Sequence, residues 1–164
     1  MMTETWKEIP NMPTKKCFGC GPANEIGLQL KFFTNGEVLK TTTIIPEHLI
    51  GWSNLAHGGI ISTILDEIMA WTGIYLQKKF ILTKSLSCEY AKPIPVGMKI
   101  FAVSRIDSIE KGKDCHLSAE ILNADGVVMA TGKSVLRLFS LEEMKKLSIF
   151  PDEFLDEFAK TVFP

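Results

Sequence analysis

The sequence predicts one α+β domain in which a long buried helix packs on an antiparallel sheet. Strand candidates fall in two groups, two before and four after one long helical pattern, without the regular alternation that a parallel sheet requires. Short turn-like segments separate the last four strands, as in an antiparallel meander. The length of 164 residues fits a single domain, and 46% hydrophobic against 23% charged residues is typical of a globular protein.

The first two strands are predicted from alternation and a turn signal. In residues 27–33, Leu28, Leu30 and Phe32 alternate with polar positions, which is the pattern of a half-buried strand. The dipeptide Asn35-Gly36 follows and is typical of a type I′ turn, so residues 38–45 are expected to return antiparallel. Residues 46–56 have no clear period and are predicted to form a loop.

Residues 58–77 carry a helical pattern that would be roughly 30 Å long. Its apolar residues cover more than one stripe, so most of this helix is predicted to be buried. The remaining strands are predicted at 81–91, 98–109, 114–122 and 127–139, followed by short amphipathic helices at 141–147 and 153–161. Turn-like segments rich in Pro, Gly, Asn and Asp separate the strands.

One long helix held by a curved, six-stranded antiparallel sheet is the hotdog fold. A single sheet of this kind leaves an open edge, so we expect a second copy to cover it, in a homodimer or a dimer of dimers. The predicted division is an N-terminal extension with a CxxC loop (1–26), a hotdog domain (27–139) and a helical tail (140–164).

Charge and hydropathy exclude several classes of protein. The formal net charge of −1 gives no excess that would hold a nucleic acid. The longest apolar stretch, 60–76, is interrupted by Asp66 and Glu67, so no membrane span is expected. The first ten residues lack the plan of a signal peptide. These features predict a soluble, cytoplasmic protein.

The cysteines Cys17 and Cys20 have CxxC spacing. A structural zinc site normally needs a second pair of ligands, and no further CxxC or HxxxH follows, so no metal is predicted. A redox pair is an alternative, but Gly19 and Gly21 suit a tight turn. The favoured interpretation is two half-buried thiols in a loop, with Cys88 and Cys115 also free.

Asp66 and Glu67 are conspicuous because burying an ionised carboxylate without a partner is costly. We therefore expect at least one to border a polar cleft or an interface. Small residues share the face of Asp66, namely Gly59, Ser62, Ala70 and Gly73. They leave room either for a ligand, with Ser62 bordering the substrate, or for close approach of another element. Glu67 is expected to face water or an interface.

Gly58-Gly59 would start the helix with exposed N–H groups at the positive end of its dipole. These donors could stabilise charge on a thioester oxygen while a carboxylate two turns away activates water or attacks the carbonyl. Alternatively, the glycines only turn the chain into the helix. His57 could orient this loop, contact the ligand or cap the helix, and we favour the orienting role.

The segment 51–67, GWSNLAHGGIISTILDE, resembles the signature of the PaaI-like hotdog thioesterases. The segments CFGCGPANEIGL (17–28) and LTKSLSCEYAKPIPVG (82–97) resemble two further blocks of one branch. The resemblance implies hydrolysis of acyl-CoA thioesters, with Asp66 as general base or nucleophile and the amide of Gly59, with that of Gly58, as oxyanion donor.

Two further positions follow from the resemblance. Thr83 matches a threonine that joins the site from the facing subunit in some relatives, although a threonine is also an ordinary strand residue. Asn54 is the nearest candidate for a polar residue that precedes the histidine in some relatives, at a different offset.

The resemblance implies no cofactor, since coenzyme A is part of the substrate. Two alternatives remain open: a module that binds acyl-CoA without hydrolysing it, and a hotdog dehydratase or hydratase. A dehydratase needs an acid and a base placed around a hydroxyacyl chain, and the sequence offers no suitable pair of His and Asp.

Overall fold

The long helix α1 spans Gly58–Gln77, as predicted, and lies across the sheet. The computed structural model describes residues 5–163. Helix α1 contacts five strands and buries Ile64, Leu65 and Ile68 completely. Each such side chain contributes about 1.5–3 kcal/mol when it is removed from water, so this face fixes the helix on the sheet. The chain leaves the helix at Lys78, which adopts a left-handed φ of 51°.

The sheet has seven antiparallel strands in the order β1-β2-β3-β5-β6-β7-β4. The strand after the helix, β4, therefore crosses to the far edge of the sheet and pairs with the last strand, β7. The strands are β1 (Lys7–Glu8), β2 (Phe33–Thr34), β3 (Leu39–Ile44), β4 (Phe80–Tyr90), β5 (Lys99–Glu110), β6 (Asp114–Leu122) and β7 (Val128–Phe139). A 3₁₀ turn, Glu47–Leu49, lies in the loop before α1.

This arrangement confirms the predicted fold, a long helix on a large antiparallel sheet, but with seven strands instead of six. The additional strand is the two-residue β1, which pairs with β2. The predicted division into 1–26, 27–139 and 140–164 stays a prediction. Residues of all three segments, among them Ile9, Leu65 and Phe158, share one hydrophobic core. Residues 1–4 and Pro164, at the outer ends of the first and last segments, lie outside the described residues.

The predicted strand at 27–33 is wrong over most of its length, because only Phe33 and Thr34 pair in the sheet. Leu28, Leu30 and Phe32 are buried as the alternation indicates. However, Gln29 has a left-handed φ of 46°, which interrupts an extended strand. The N–H groups of Leu28 and Leu30 bond instead to carbonyls of the CxxC loop, at 2.8 and 2.9 Å.

The predicted hairpin between β2 and β3 is present, but its turn is not type I′. Gly36 has a φ of +99°, whereas Asn35 is not among the residues of positive φ. The side chain of Asn35 instead accepts hydrogen bonds from the backbone of Glu37 and Val38, each at 3.0 Å. The connection is therefore a longer loop held by an asparagine side chain.

Two short helices follow the sheet, α2 (Leu141–Lys146) and α3 (Asp152–Val162), close to the predicted bounds. Helix α3 buries Phe158 beside Trp71 of α1, with ring centroids 6.1 Å apart. The ammonium of Lys15, from the N-terminal segment, lies 4.9 Å from the Trp71 ring and 5.2 Å from the Phe158 ring. Both ends of the chain thus meet on α1.

Helix α1 is long and apolar enough to cross a membrane by length and composition alone. However, 50% of that apolar window is buried inside this chain, as in the core helix of a soluble protein. Asp66 and Glu67 also interrupt it. The folded chain therefore uses α1 as the centre of its core.

Candidate active site

The loop before α1 is fixed by backbone contacts on both sides. Ala56 donates to the carbonyl of Ile94 at 2.8 Å, and His57 donates to that of Leu49 at 3.1 Å. A side chain at Gly51 would meet the Cα of His57 at 2.8 Å, so this close packing requires glycine. These contacts fix the position of His57 at the start of α1.

His57 is the N-cap of α1. Its Nδ1 accepts a hydrogen bond from the N–H of Gly59 at 2.9 Å. Capping was one of the three roles that the sequence left open for this residue. The bond occupies one of the two amides predicted to bind an oxyanion, so a carbonyl oxygen at Gly59 would have to displace the imidazole.

The other predicted donor, the N–H of Gly58, has no acceptor within residues 5–163. A Cβ at Gly58 would have its nearest contact with the Tyr90 ring at 3.7 Å, so the approach to this amide is open. A shallow cleft of about 440 Å³ lies here, lined by residues 50–52 and 55–58. Trp52 at its rim is 84% exposed, which leaves an apolar surface beside the helix end.

Asp66 lies half-buried on α1, and its Oδ1 accepts a hydrogen bond from Thr83 Oγ1 at 3.2 Å. The pKa of Asp66 is raised above its ordinary value, mainly because the carboxyl is partly removed from water. The hydrogen bond from Thr83 lowers the pKa in part, and the negative charge of the nearby Cys17 thiolate raises it further. Thr83 belongs to β4 of the same chain. The contact therefore forms within this chain, and the role of Thr83 across a subunit interface, which the resemblance implies from some relatives, stays a prediction.

Ser62 lies one helical turn before Asp66 and links α1 to the end of β4. Its Oγ donates to the carbonyl of Gly58 at 3.0 Å and lies 2.5 Å from the Tyr90 hydroxyl. The Tyr90 hydroxyl is also 3.2 Å from the same carbonyl. No pattern in the sequence indicates a role for Tyr90. Its position as the last residue of β4, facing the first turn of α1, comes from the fold.

Asn54 lies in the exposed loop before the helix. Its carbonyl accepts a bond from Val96 at 2.9 Å, and its side chain makes no hydrogen bond within the described chain. Among the residues predicted for the site, hydrogen bonds thus join Asp66 to Thr83 and His57 to Gly59, and Ser62 bonds to Tyr90. Asn54 makes no side-chain hydrogen bond to any of these residues.

Glu67 does not face water. It is half-buried beneath the CxxC loop, where its Oε1 accepts a hydrogen bond from the Sγ of Cys17 at 3.3 Å. The two sulfurs and a carboxylate oxygen of Glu67 lie within 4.8 Å of one another. These are three potential metal donors, one fewer than a closed tetrahedral zinc site has. Adjacent carboxylates of α1 thus face two different environments.

A long helix on an antiparallel sheet, with a carboxylate in the middle of that helix, defines a hotdog protein. Its structural neighbours include the PaaI protein of Escherichia coli, from the phenylacetic acid degradation operon, with a TM-score of 0.62 and 15% identity over 69% of this chain and 81% of that one. The predicted hotdog fold is thus confirmed.

Two other solved structures have the same fold. A thioesterase superfamily protein, RHA08564, has a TM-score of 0.67 and 20% identity over 74% of this chain and 60% of that one. A hypothetical thioesterase from Streptococcus pneumoniae, solved with coenzyme A, has a TM-score of 0.59 and 19% identity over 62% and 81%.

Curated relatives match in sequence over about half of the chain. The acyl-coenzyme A thioesterase THEM4 of Xenopus laevis is 29% identical over 89 residues, which are 54% of this chain and 39% of that protein. An uncharacterised protein of Schizosaccharomyces pombe is 32% identical over 80 residues, 48% and 45% of the two chains. The match thus spans less than half the length of these relatives. No family model matches the chain.

Proposed function

We propose that this protein is an acyl-CoA thioesterase that hydrolyses a thioester to a carboxylic acid and coenzyme A. The observation that carries the proposal is the half-buried Asp66, held by Thr83 in the long central helix of a hotdog fold. The names of the curated relatives and the coenzyme A bound to a structural neighbour support it.

In the proposed reaction Asp66 acts on the thioester carbonyl, either directly or through water. As a general base it takes a proton from a water molecule whose oxygen attacks the carbonyl carbon, and the thiolate of coenzyme A leaves. As a nucleophile it attacks the carbonyl carbon, breaks the C–S bond and releases the thiolate of coenzyme A, which leaves an anhydride between Asp66 and the acyl group. Water then hydrolyses this anhydride to the carboxylic acid and regenerates the Asp66 carboxylate. The raised pKa of Asp66 makes it a stronger base than an exposed aspartate.

An oxyanion donor and the attacking group must both lie about 3 Å from one carbonyl. Gly59 and Asp66 are separated by seven residues of the same helix, or roughly 10 Å along its axis. They are therefore too far apart to act on a single carbonyl within one subunit. A second copy that sets its own helix start opposite Asp66 would close this gap.

The free edge of β4 supports this proposal. It is the terminal strand of the sheet, and eight of its eleven residues are exposed. They include Leu82 and Leu86, both 37% exposed, and Tyr90, 53% exposed. If the β4 strands of two copies paired, they would cover these apolar side chains and bring the two candidate active sites close together. We propose a homodimer, or a dimer of dimers, as the active form, in the cytoplasm.

The experiment is a thiol-release screen over short, long and aryl acyl-CoA thioesters, run beside a hydration assay with a crotonyl-type substrate. Saturable release of coenzyme A is the expected result. Hydration without release would instead identify a hydratase, and tight binding of acyl-CoA with neither reaction would identify a binding module. The proposed chemistry needs no metal, so EDTA should leave turnover unchanged, and loss that zinc restores would contradict this.

A further inference from the structure

The CxxC loop places two sulfurs and a carboxylate together away from Thr83. The N–H of Gly21 donates to the carbonyl of Cys17 at 2.9 Å, which closes the turn. A side chain at Gly21 would meet the backbone N of Cys17 at 2.4 Å, so only glycine fits this turn. As a result both thiols lie on the same side of the loop, within 4.8 Å of Glu67 and of each other.

The two cysteines differ in their access to solvent. Cys17 is partly exposed, whereas Cys20 is 1% exposed. The backbone amides of Gly19 and Cys20 donate to the sulfur of Cys17, as does the thiol of Cys20. These bonds lower the pKa of Cys17 and favour its thiolate. The pKa of Cys20 is raised, because its deprotonation would place a second anion beside the first.

Glu67 is in position to exchange a proton with the buried thiol. It accepts a hydrogen bond from the Cys17 thiol at 3.3 Å, and the sulfur of Cys20 lies within 4.8 Å of its carboxylate. A Cβ at Gly19 would meet the Cγ of Glu67 at 2.3 Å, so the loop covers this carboxylate closely. Burial raises the pKa of Glu67 to about 7, within the range of a proton acceptor at neutral pH.

We propose that Cys17 and Cys20 form a reversible dithiol–disulfide pair that exchanges with small disulfides, with Glu67 as the proton acceptor for Cys20. A metal is the less favoured occupant, because the described residues supply no fourth His, Cys, Asp or Glu donor to the cluster. The proposal is independent of thioester hydrolysis.

With glutathione disulfide as oxidant, the exchange takes two steps. The Cys17 thiolate attacks one sulfur of the oxidant, forming a mixed disulfide and releasing one glutathione thiolate, which takes up a proton from solvent. Cys20 then passes its proton to Glu67 and attacks the sulfur of Cys17, which releases the second glutathione. Two electrons move from the protein to the oxidant, leaving a Cys17–Cys20 disulfide and two glutathione molecules.

The test begins with the whole protein, reduced and treated with a chelator, then equilibrated with mixtures of reduced and oxidised glutathione. After an acid quench, free thiols are alkylated in denaturant and mapped by mass spectrometry. We expect a single internal disulfide between Cys17 and Cys20 that follows the glutathione ratio reversibly. Cys88 and Cys115 should remain alkylated at every ratio.

Variants separate the roles of the two cysteines. Cys20→Ser should accumulate glutathione on Cys17, since the second attack is lost, whereas Cys17→Ser should form neither adduct nor disulfide. In Glu67→Gln the second step should slow at least about tenfold and the first should not change. Cys88→Ser is the matched control and should behave as the parent. The mapping of the parent decides the matter if a variant fails to fold.

Three results would overturn the proposal. They are glutathione adducts without an internal disulfide, a disulfide that involves Cys88 or Cys115, and, in a parallel sample that receives no chelator, thiols that a co-purified metal shields from alkylation. The last result would identify the cluster as a metal site. An unchanged second step in Glu67→Gln would remove the proton-transfer role from Glu67.

Discussion

Gly58 and Gly59 are adjacent, but a side chain would meet different surroundings at the two positions. At Gly58 the first contact is an ordinary one with the Tyr90 ring, at 3.7 Å. At Gly59 a Cβ would press on Nδ1 of His57 at 3.1 Å, the same atom that caps the helix. The second glycine therefore protects the cap, whereas the first leaves an amide open.

This difference predicts the stability of two alanine variants. Gly59→Ala should lower the free energy of unfolding by about 1 kcal/mol, the usual value of a lost N-cap. Gly58→Ala should leave it unchanged or raise it slightly, because alanine reduces the entropy of the unfolded chain. Urea denaturation of both variants measures this. Equal losses in the two would show that the imidazole does not cap the helix in solution.

Asp66 gives the sharpest prediction for activity. Asp66→Asn keeps the size of the side chain and a hydrogen bond with Thr83 but removes the charge, so turnover should fall by about 10²–10⁴-fold. Binding of acyl-CoA and the fold should change little. Steady-state kinetics and a thermal melt measure both.

The matched control is Asp125→Asn, on an exposed turn, which should retain full turnover. Glu67→Gln should also hydrolyse acyl-CoA, because Glu67 faces the CxxC loop. An active Asp66→Asn beside an inactive Glu67→Gln would move the catalytic role by one residue.

At the scale of the elements, the sequence predicted the long repeating patterns well and the short ones poorly. The bounds of α1 and β6 are as predicted, because each is fixed by many residues with one periodicity. The segment 27–33 alternates but bonds to the CxxC loop, through backbone groups ten and eleven residues earlier in the chain. Alternation reports which side chains are buried, and it does not report which backbone pairs with which.

The site was predictable to a similar degree. Asp66 was found because a carboxylate in an apolar helix is costly to bury. The contact of Glu67 with Cys17 joins residues 50 positions apart, and no local pattern reveals it. The link from Ser62 to Tyr90 likewise depends on how α1 crosses β4.

The packing of α1 against the CxxC loop predicts a dependence of stability on pH. Glu67 has a folded pKa of about 7 against a usual value of 4.5. Between these values the folded chain keeps a proton on Glu67 that the unfolded chain has released, so the contribution of Glu67 to stability falls as the pH rises. The loss is complete above pH 7 and amounts to at most about 3 kcal/mol. The lowered pKa of Cys17 contributes with the opposite sign over the same range, so the Glu67 contribution is measured as a difference between the parent and a Glu67 variant.

Glu67→Gln should remove the Glu67 contribution, so the variant should gain stability relative to the parent as the pH rises from 4 to 8. Denaturation with urea at a series of pH values, under reducing conditions, measures it. A stability difference between Glu67→Gln and the parent that does not change between pH 5 and pH 8 would contradict the raised pKa of Glu67.

At the scale of the whole molecule, the exposed edge of β4 predicts self-association. Sedimentation velocity at micromolar concentration should show a dimer or a dimer of dimers. Leu86→Lys places a charge on this edge and should weaken association and turnover together. Leu147→Lys, at an exposed leucine after α2, is the control and should change neither. A stable, active monomer would contradict both the association and the composite site.

The ammonium of Lys15, which lies over Trp71 and Phe158, has a consequence for how the native protein opens. Lys15 precedes the CxxC loop, and its cation–π contacts link that segment to Trp71 of α1 and to Phe158 of α3, near the opposite end of the chain. Detachment of α3 would uncover the ammonium and loosen the loop, so the two segments should exchange amide hydrogens as one cooperative unit. Access of a reagent to Cys20 would then depend on a helix more than 130 residues away.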